Sequence, residues 1–127
     1  ELARAIGVSA ATVINHVQRL ESGGVIKDYS VSLDHERLGY ELTVVTEIIV
    51  SKGKLLETDA EIAKIPNVCA VYDITGETDA MVVAKFKSRS NLSDFTKKLL
   101  AMPYVERTNT HVALTTVKED FRMMNDM

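Results

Sequence analysis

With 127 residues the chain fits one ordinary domain or two small ones. It holds no apolar run long enough to cross a bilayer, the strongest such stretch, Val44 to Val50, being strand-sized with polar residues inside it. A formal net charge of −3 argues against indiscriminate nucleic-acid binding, which needs a broad basic surface, but leaves room for a local duplex-reading patch. The single cysteine, Cys69, excludes an intramolecular disulfide framework and a multi-cysteine zinc site, and it is expected to pack inside a strand.

Residue 1 opens directly into a helix-like pattern. That reads as no signal peptide, hence an intracellular, cytoplasmic protein that does not engage membranes. Leu2 and Ile6 repeat at i, i+4 with Ala3 and Ala5 between them, which predicts a short helix over 1–6 that Gly7 ends. Ser9 reads as the N-cap of a second helix over 10–21. At about 100° per residue, Val13, Val17 and Leu20 share one arc with Ala10 at its edge. Ala11, Thr12, Asn15, Gln18 and Arg19 share the opposite arc. His16, beside the apolar arc, is expected to pack against a neighbour. Ser22-Gly23-Gly24 ends the helix, and Val25 to Val31 is expected to form a short strand or wing. Two short helices joined by a tight glycine turn form a helix-turn-helix signature. Residues 1–30 carry three basic and three acidic groups, so the acidic excess of the chain lies further along.

Residues 34–40 look like a turn or short linker helix ending at Gly39, after which the pattern changes. β-branched and apolar runs predict strands over 43–50, 68–75, 80–86 and 104–117. Helical periodicity predicts helices over 54–65 and 90–102, the latter capped by Ser90 or Asn91. Both helix-to-strand handovers read apolar-Pro-x-Val, Ile65-Pro66-Asn67-Val68 and Met102-Pro103-Tyr104-Val105, a faint internal repeat in which proline enforces the change of direction. A charged tail follows Lys118.

The order βαββαβ predicts a ferredoxin-like sandwich of four antiparallel strands with two helices on one face. The fold class is therefore α+β: an N-terminal winged helix-turn-helix over 1–30, a linker over 31–42, and the sandwich over 43–127. Ala80 to Ala84 offers no polar side, so both faces of the sheet are expected to be buried, the second by sheet-to-sheet packing between subunits. A homodimer follows, with a tetramer or octamer built from it.

The ordered set of Glu1-Leu2-Ala3, Gly7-Val8-Ser9, Val17-Gln18-Arg19-Leu20-Glu21, Gly24-Val25-Ile26, Leu38-Gly39-Tyr40, Thr75-Gly76-Glu77-Thr78-Asp79 and Thr108-Asn109-Thr110-His111 resembles the Lrp/AsnC family of leucine-responsive, or feast/famine, regulators. The resemblance covers almost the whole chain. It implies a further helix ahead of Glu1, so the sequence is expected to start inside the DNA-binding domain. It also implies an amino-acid sensor, with a pocket lying between dimers. The family often has Gly-Asp-x-Asp followed by an aromatic residue, whereas this chain has Gly76-Glu77-Thr78-Asp79-Ala80, so the identity of the effector does not carry over.

The partner of the second helix is then double-stranded DNA. Asn15 and Gln18 can pair with adenine, Arg19 with guanine or phosphate, and Thr12 with a thymine methyl. Ser9 and the helix N-terminus can hold a phosphate, and Ala11 shares the face turned to the duplex. For the effector, Gly76 allows the backbone to approach a ligand carboxylate. Asp79 and Glu77 could accept from an ammonium, and Thr108, Thr110 and His111 could complete the wall. No cofactor or metal is expected.

Two other classes stay open at the sequence level. One is an amino-acid-binding assembly module without a DNA function. The other is a siroheme-decarboxylase-like enzyme, which the scattered His16, His35 and His111 do not support, so no enzymatic activity is expected.

Overall fold

In a computed structural model of the chain, residues 9–123 are described; the helix expected over 1–6 and the Gly7 turn lie outside them. The chain divides into two compact units, residues 1–33 and 34–127. The first contains α1 (Ala10–Ser22), whose half-buried Val13, Val17 and Leu20 are the arc read from the sequence. Its C-terminal end is a Schellman closure. Gly24 takes φ +78, the Val25 amide donates to Leu20 O at 2.8 Å, and the Gly24 amide donates to Glu21 O at 3.1 Å.

That closure explains why the strand expected over Val25 to Val31 does not form. Val25 to Val31 forms no strand, because the Val25 and Ile26 amides are spent on Leu20 O and no second strand lies in this unit among the described residues. The segment is instead tied back to the helix by Tyr29, whose hydroxyl donates to Glu21 Oε1 at 2.7 Å.

In the second unit, residues 35–39 form a turn that leads into β1 (Leu42–Val50), followed by α2 (Leu55–Ala63), β2 (Val68–Asp73), β3 (Ala80–Phe86), α3 (Arg89–Leu100) and β4 (Val105–Val112). The strand order is β2-β3-β1-β4, antiparallel throughout, which is the ferredoxin-like arrangement. Ser88 caps α3 by accepting from the Asn91 amide at 3.1 Å, two residues ahead of the expected Ser90. In a run containing three polar cap candidates, local propensity does not choose among them.

One face of the sheet is dry. Val44, Ile48, Val82 and Ala84 are wholly buried with Ile62 of α2 and Leu99 of α3, and the rings of Phe86 and Phe95 meet at 5.0 Å. The opposite face is only half-buried within the chain, and its composition differs from the expectation. Val45, Ile49, Met81 and Val83 supply apolar surface, but Thr43, Glu47, Lys85, Arg107, Asn109 and His111 share it through the strand register.

Two further expectations are corrected. The last strand stops at Val112 rather than Val117, because β1 pairs with it no further than Val44↔Val112; beyond Ala113, whose amide reaches Thr43 O, the chain leaves the ladder. Cys69 lies in β2 but is exposed, since the register slips between Val68 and Ala70 and leaves it without a partner residue on β3.

Candidate functional site

The first candidate is the outer face of α1. Ser9 is extended (φ −70, ψ 152). Its Oγ accepts from the Thr12 amide at 3.2 Å and lies 2.7 Å from Thr12 Oγ1. The two hydroxyls thus fix the start of the helix, freeing the remaining first-turn amides for an anion. Ala11, Thr12, Asn15, Gln18 and Arg19 are all exposed, on one helical face. His16 is exposed as well, rather than packed as the sequence suggested. Ile14 is 57% exposed and borders the polar arc with an apolar surface that sequence reading did not single out.

The second candidate is a cleft of about 510 Å³ between the β2–β3 turn and the sheet edge at β4. Gly76, at φ +112 with open space where a Cβ would stand, lets the turn reverse. Of the expected effector residues, Glu77 and Thr108 line this cleft, and Gly76 sits between two of its lining residues, Thr75 and Glu77. Asp79, Thr110 and His111 are placed elsewhere. Asp79 Oδ2 accepts from the Val50 amide at 2.8 Å. Thr110 Oγ1 lies 3.1 Å from the buried Thr46 Oγ1. His111 Nε2 is 2.9 Å from Glu47 Oε2.

Sequence reading missed the residues that give the cleft its chemistry. Glu47, the one charge within β1, lines it and is held by His111, by Asn109 Nδ2 at 3.3 Å and by Thr78 Oγ1 at 3.3 Å. The His111 hydrogen bond, above all, holds the Glu47 carboxyl below its ordinary range, with Thr78 and Asn109 adding to it. Arg107 of β4 and Glu77 of the turn line the same cleft, and neither has an ion-pair partner among the described residues. Ile49, Ile74 and Met81 make the apolar part of its wall. The signal that could have found Glu47 is a lone carboxylate in an apolar β-branched strand, which is costly unless it is paired.

The cleft can therefore offer a cation, a carboxylate and an apolar wall to one small molecule. Among the described residues, no group of three or more histidine, cysteine or acidic side chains is placed to hold a metal. No helix there is long and apolar enough to cross a membrane.

Comparison with known proteins agrees with this division of labour. Residues 43–123 match the Lrp/AsnC ligand binding domain, and residues 1–27 match a winged helix-turn-helix DNA-binding domain. An uncharacterized HTH-type transcriptional regulator of Pyrococcus furiosus is 46% identical over 123 residues, covering 97% of this chain and 83% of the relative. The feast or famine regulatory protein of M. tuberculosis, solved with L-methionine, is 27% identical with a TM-score of 0.82, over 96% of this chain and 83% of that one. A transcriptional regulator of Neisseria meningitidis, solved as an L-Met complex, shares the fold at a TM-score of 0.89 and 24% identity, over 99% of this chain and 84% of that one. The chain belongs to the Lrp/AsnC family and is a transcriptional regulator of that type, with a helix-turn-helix and a ligand-binding domain.

Proposed function

We propose that this regulator binds specific double-stranded DNA through the outer face of α1, and that its assembly and DNA affinity respond to a free α-amino acid held in the cleft beside the β2–β3 turn. The observation that carries the ligand reading is the pairing of an uncommitted cation, Arg107, with an uncommitted carboxylate, Glu77, on the walls of one cleft. An amino acid presents the complementary pair. Its carboxylate suits the planar donors of Arg107, and its ammonium suits Glu77. Ile49, Ile74 and Met81 favour an apolar side chain, in keeping with the methionine bound by the two solved relatives.

The half-buried sheet face, with Val45, Ile49, Met81 and Val83, is the surface through which we expect two copies to pair, and tetramers or octamers to be built from such dimers. Ile49 and Met81 belong both to that face and to the cleft, so ligand binding and assembly would be thermodynamically linked. Such a regulator would work in the cytoplasm, where its DNA and its effector are found.

The test is calorimetry with a panel of amino acids, alongside selection of bound duplexes from random DNA with and without the ligand. The expected result is binding of an apolar amino acid, lost in Arg107→Gln with no change in melting temperature, and enrichment of a defined duplex. If no amino acid binds at millimolar concentration, the sensor reading is wrong; if no duplex is enriched, the DNA reading is wrong.

A further inference from the structure

We infer that Asp79 is a positioning residue rather than a ligand contact: its carboxylate caps the last inward amide of β1 and thereby holds the β2–β3 turn against the cleft. The geometry follows from strand parity. Odd-numbered residues of β1 turn their backbone groups toward the β4 side, as the Ala113 amide to Thr43 O shows, and Ser51, just past the strand, donates to Tyr104 O. Even-numbered ones turn toward β3, as the Asp79 amide to Ile48 O at 2.9 Å shows. Pairing with β3 ends at Ile48↔Ala80, so the Val50 amide points to a side where no strand remains. Val50 is only 7% exposed, and water is a poor substitute there. Asp79 Oδ2 fills the gap at 2.8 Å.

The same residue closes the turn from both ends. Its amide is bound to β1, and its carbonyl accepts from the Ile74 amide, just past the end of β2, at 3.1 Å. Thr78 adds a side-chain contact to Glu47 on β1. The turn that carries Glu77 is thus docked on β1 by residues whose polar atoms are already committed. Asp79 is absent from the cleft wall, which leaves Glu77 to meet the ligand. The capping half of this inference stands on the backbone alone, and only the consequence for affinity rests on the ligand reading above.

A cap needs an acceptor, whereas an ammonium contact needs a charge, and Asp79→Asn separates the two. In nuclear magnetic resonance of the unmodified protein, the Val50 amide proton should exchange slowly with solvent. In Asp79→Asn the slow exchange should persist and L-methionine should bind within about threefold of the unmodified protein. In Asp79→Ala exchange at Val50 should speed up and binding should weaken by about tenfold or more. The inference is overturned if Asp79→Asn binds as poorly as Asp79→Ala while Val50 stays protected, or if exchange at Val50 is no faster in Asp79→Ala. Should no amino acid of the panel bind, the ligand reading falls, and exchange at Val50 still decides the cap.

Discussion

Asp59 of α2 and Asp73 at the end of β2 have neighbouring carboxyl groups, and Asp59 Oδ1 is buried without a hydrogen-bond partner among the described residues. With both groups ionised the contact is repulsive; one proton shared between them turns it into a bond. Burial, then the hydrogen bond and the charge of Asp73, push the Asp59 carboxyl up from 3.8 to about 7. The folded chain therefore holds a proton that the unfolded chain has released, in the window between about 4 and about 7. Stability from this pair is full below that window and is lost as the pH rises through it. Asp59→Asn supplies a permanent donor to Asp73. It should flatten the fall of melting temperature across the window and raise stability at pH 8 by about 1 kcal/mol, a figure kept small because solvent reaches Asp73 and screens the repulsion. Thermal melts of both proteins from pH 4 to 8 test this, and parallel curves would refute it.

Glu47 and His111 form the opposite case. Here the partner favours the charged carboxylate, so the Glu47 carboxyl lies below its ordinary range. The contribution of the pair is present above the ordinary carboxylate range and fades as the pH falls through the lowered folded value. His111→Ala removes the largest cause and should move the Glu47 titration upward, with Thr78 and Asn109 retaining part of the depression. Carbon-13 detection of the Glu47 carboxyl in both proteins gives the answer, and an unchanged midpoint would show that His111 does not hold it.

On α1, Asn15 and Arg19 are exposed and make no side-chain hydrogen bond or ion pair among the described residues; the cap is built by Ser9 and Thr12 and the closure by backbone groups around Gly24. Substituting either by alanine should leave the circular dichroism spectrum and oligomeric state unchanged. Each substitution should weaken binding to a selected duplex by about 1–3 kcal/mol, the usual worth of one base contact. Full retention of affinity by both variants in a salt-controlled titration would remove this face from DNA reading.

Much of the scaffold was legible because its signals were redundant. β1 and β3 are dense runs of β-branched and small apolar residues, and β3 begins and ends at the residues expected, Ala80 and Phe86. The helices on the dry face repeat apolar residues such as Phe95 and Leu99 at helical spacing. What was not legible depended on pairing. Which amide of β1 lacks a partner, and hence what Asp79 is for, follows from where β3 turns away rather than from the acidity of the turn. The exposure of Cys69 follows from a register slip that no local pattern announces. Arg107 and Glu47 became site candidates only once the β1–β4 register put Glu47 opposite Asn109 and Ile49 opposite Arg107. Sequence reading singled out neither of them.

The buried ammonium of Lys85 shows how such pairing matters energetically. Its side chain is 10% exposed on the half-buried sheet face, with Nζ 2.9 Å from Glu119 Oε1 and donating to Thr43 Oγ1 at 2.9 Å. Glu119 belongs to the stretch after β4, where Leu114, Val117, Phe121 and Met123 are exposed, so this ion pair ties that segment to the sheet beyond the Ala113 amide. Removing the carboxylate alone leaves a desolvated cation, which is costlier than removing both charges. Glu119→Ala should therefore destabilise the chain by about 1–2 kcal/mol, a range below that of fully buried pairs because Glu119 is partly solvated. Lys85→Met, similar in volume and without charge, should be close to neutral, and Glu119→Ala added to it should cost almost nothing further. Urea denaturation of the four proteins in a double-mutant cycle measures the coupling. Equal costs of Glu119→Ala in both backgrounds would mean that the pair carries no stabilisation and that the tail is held by something other than Lys85.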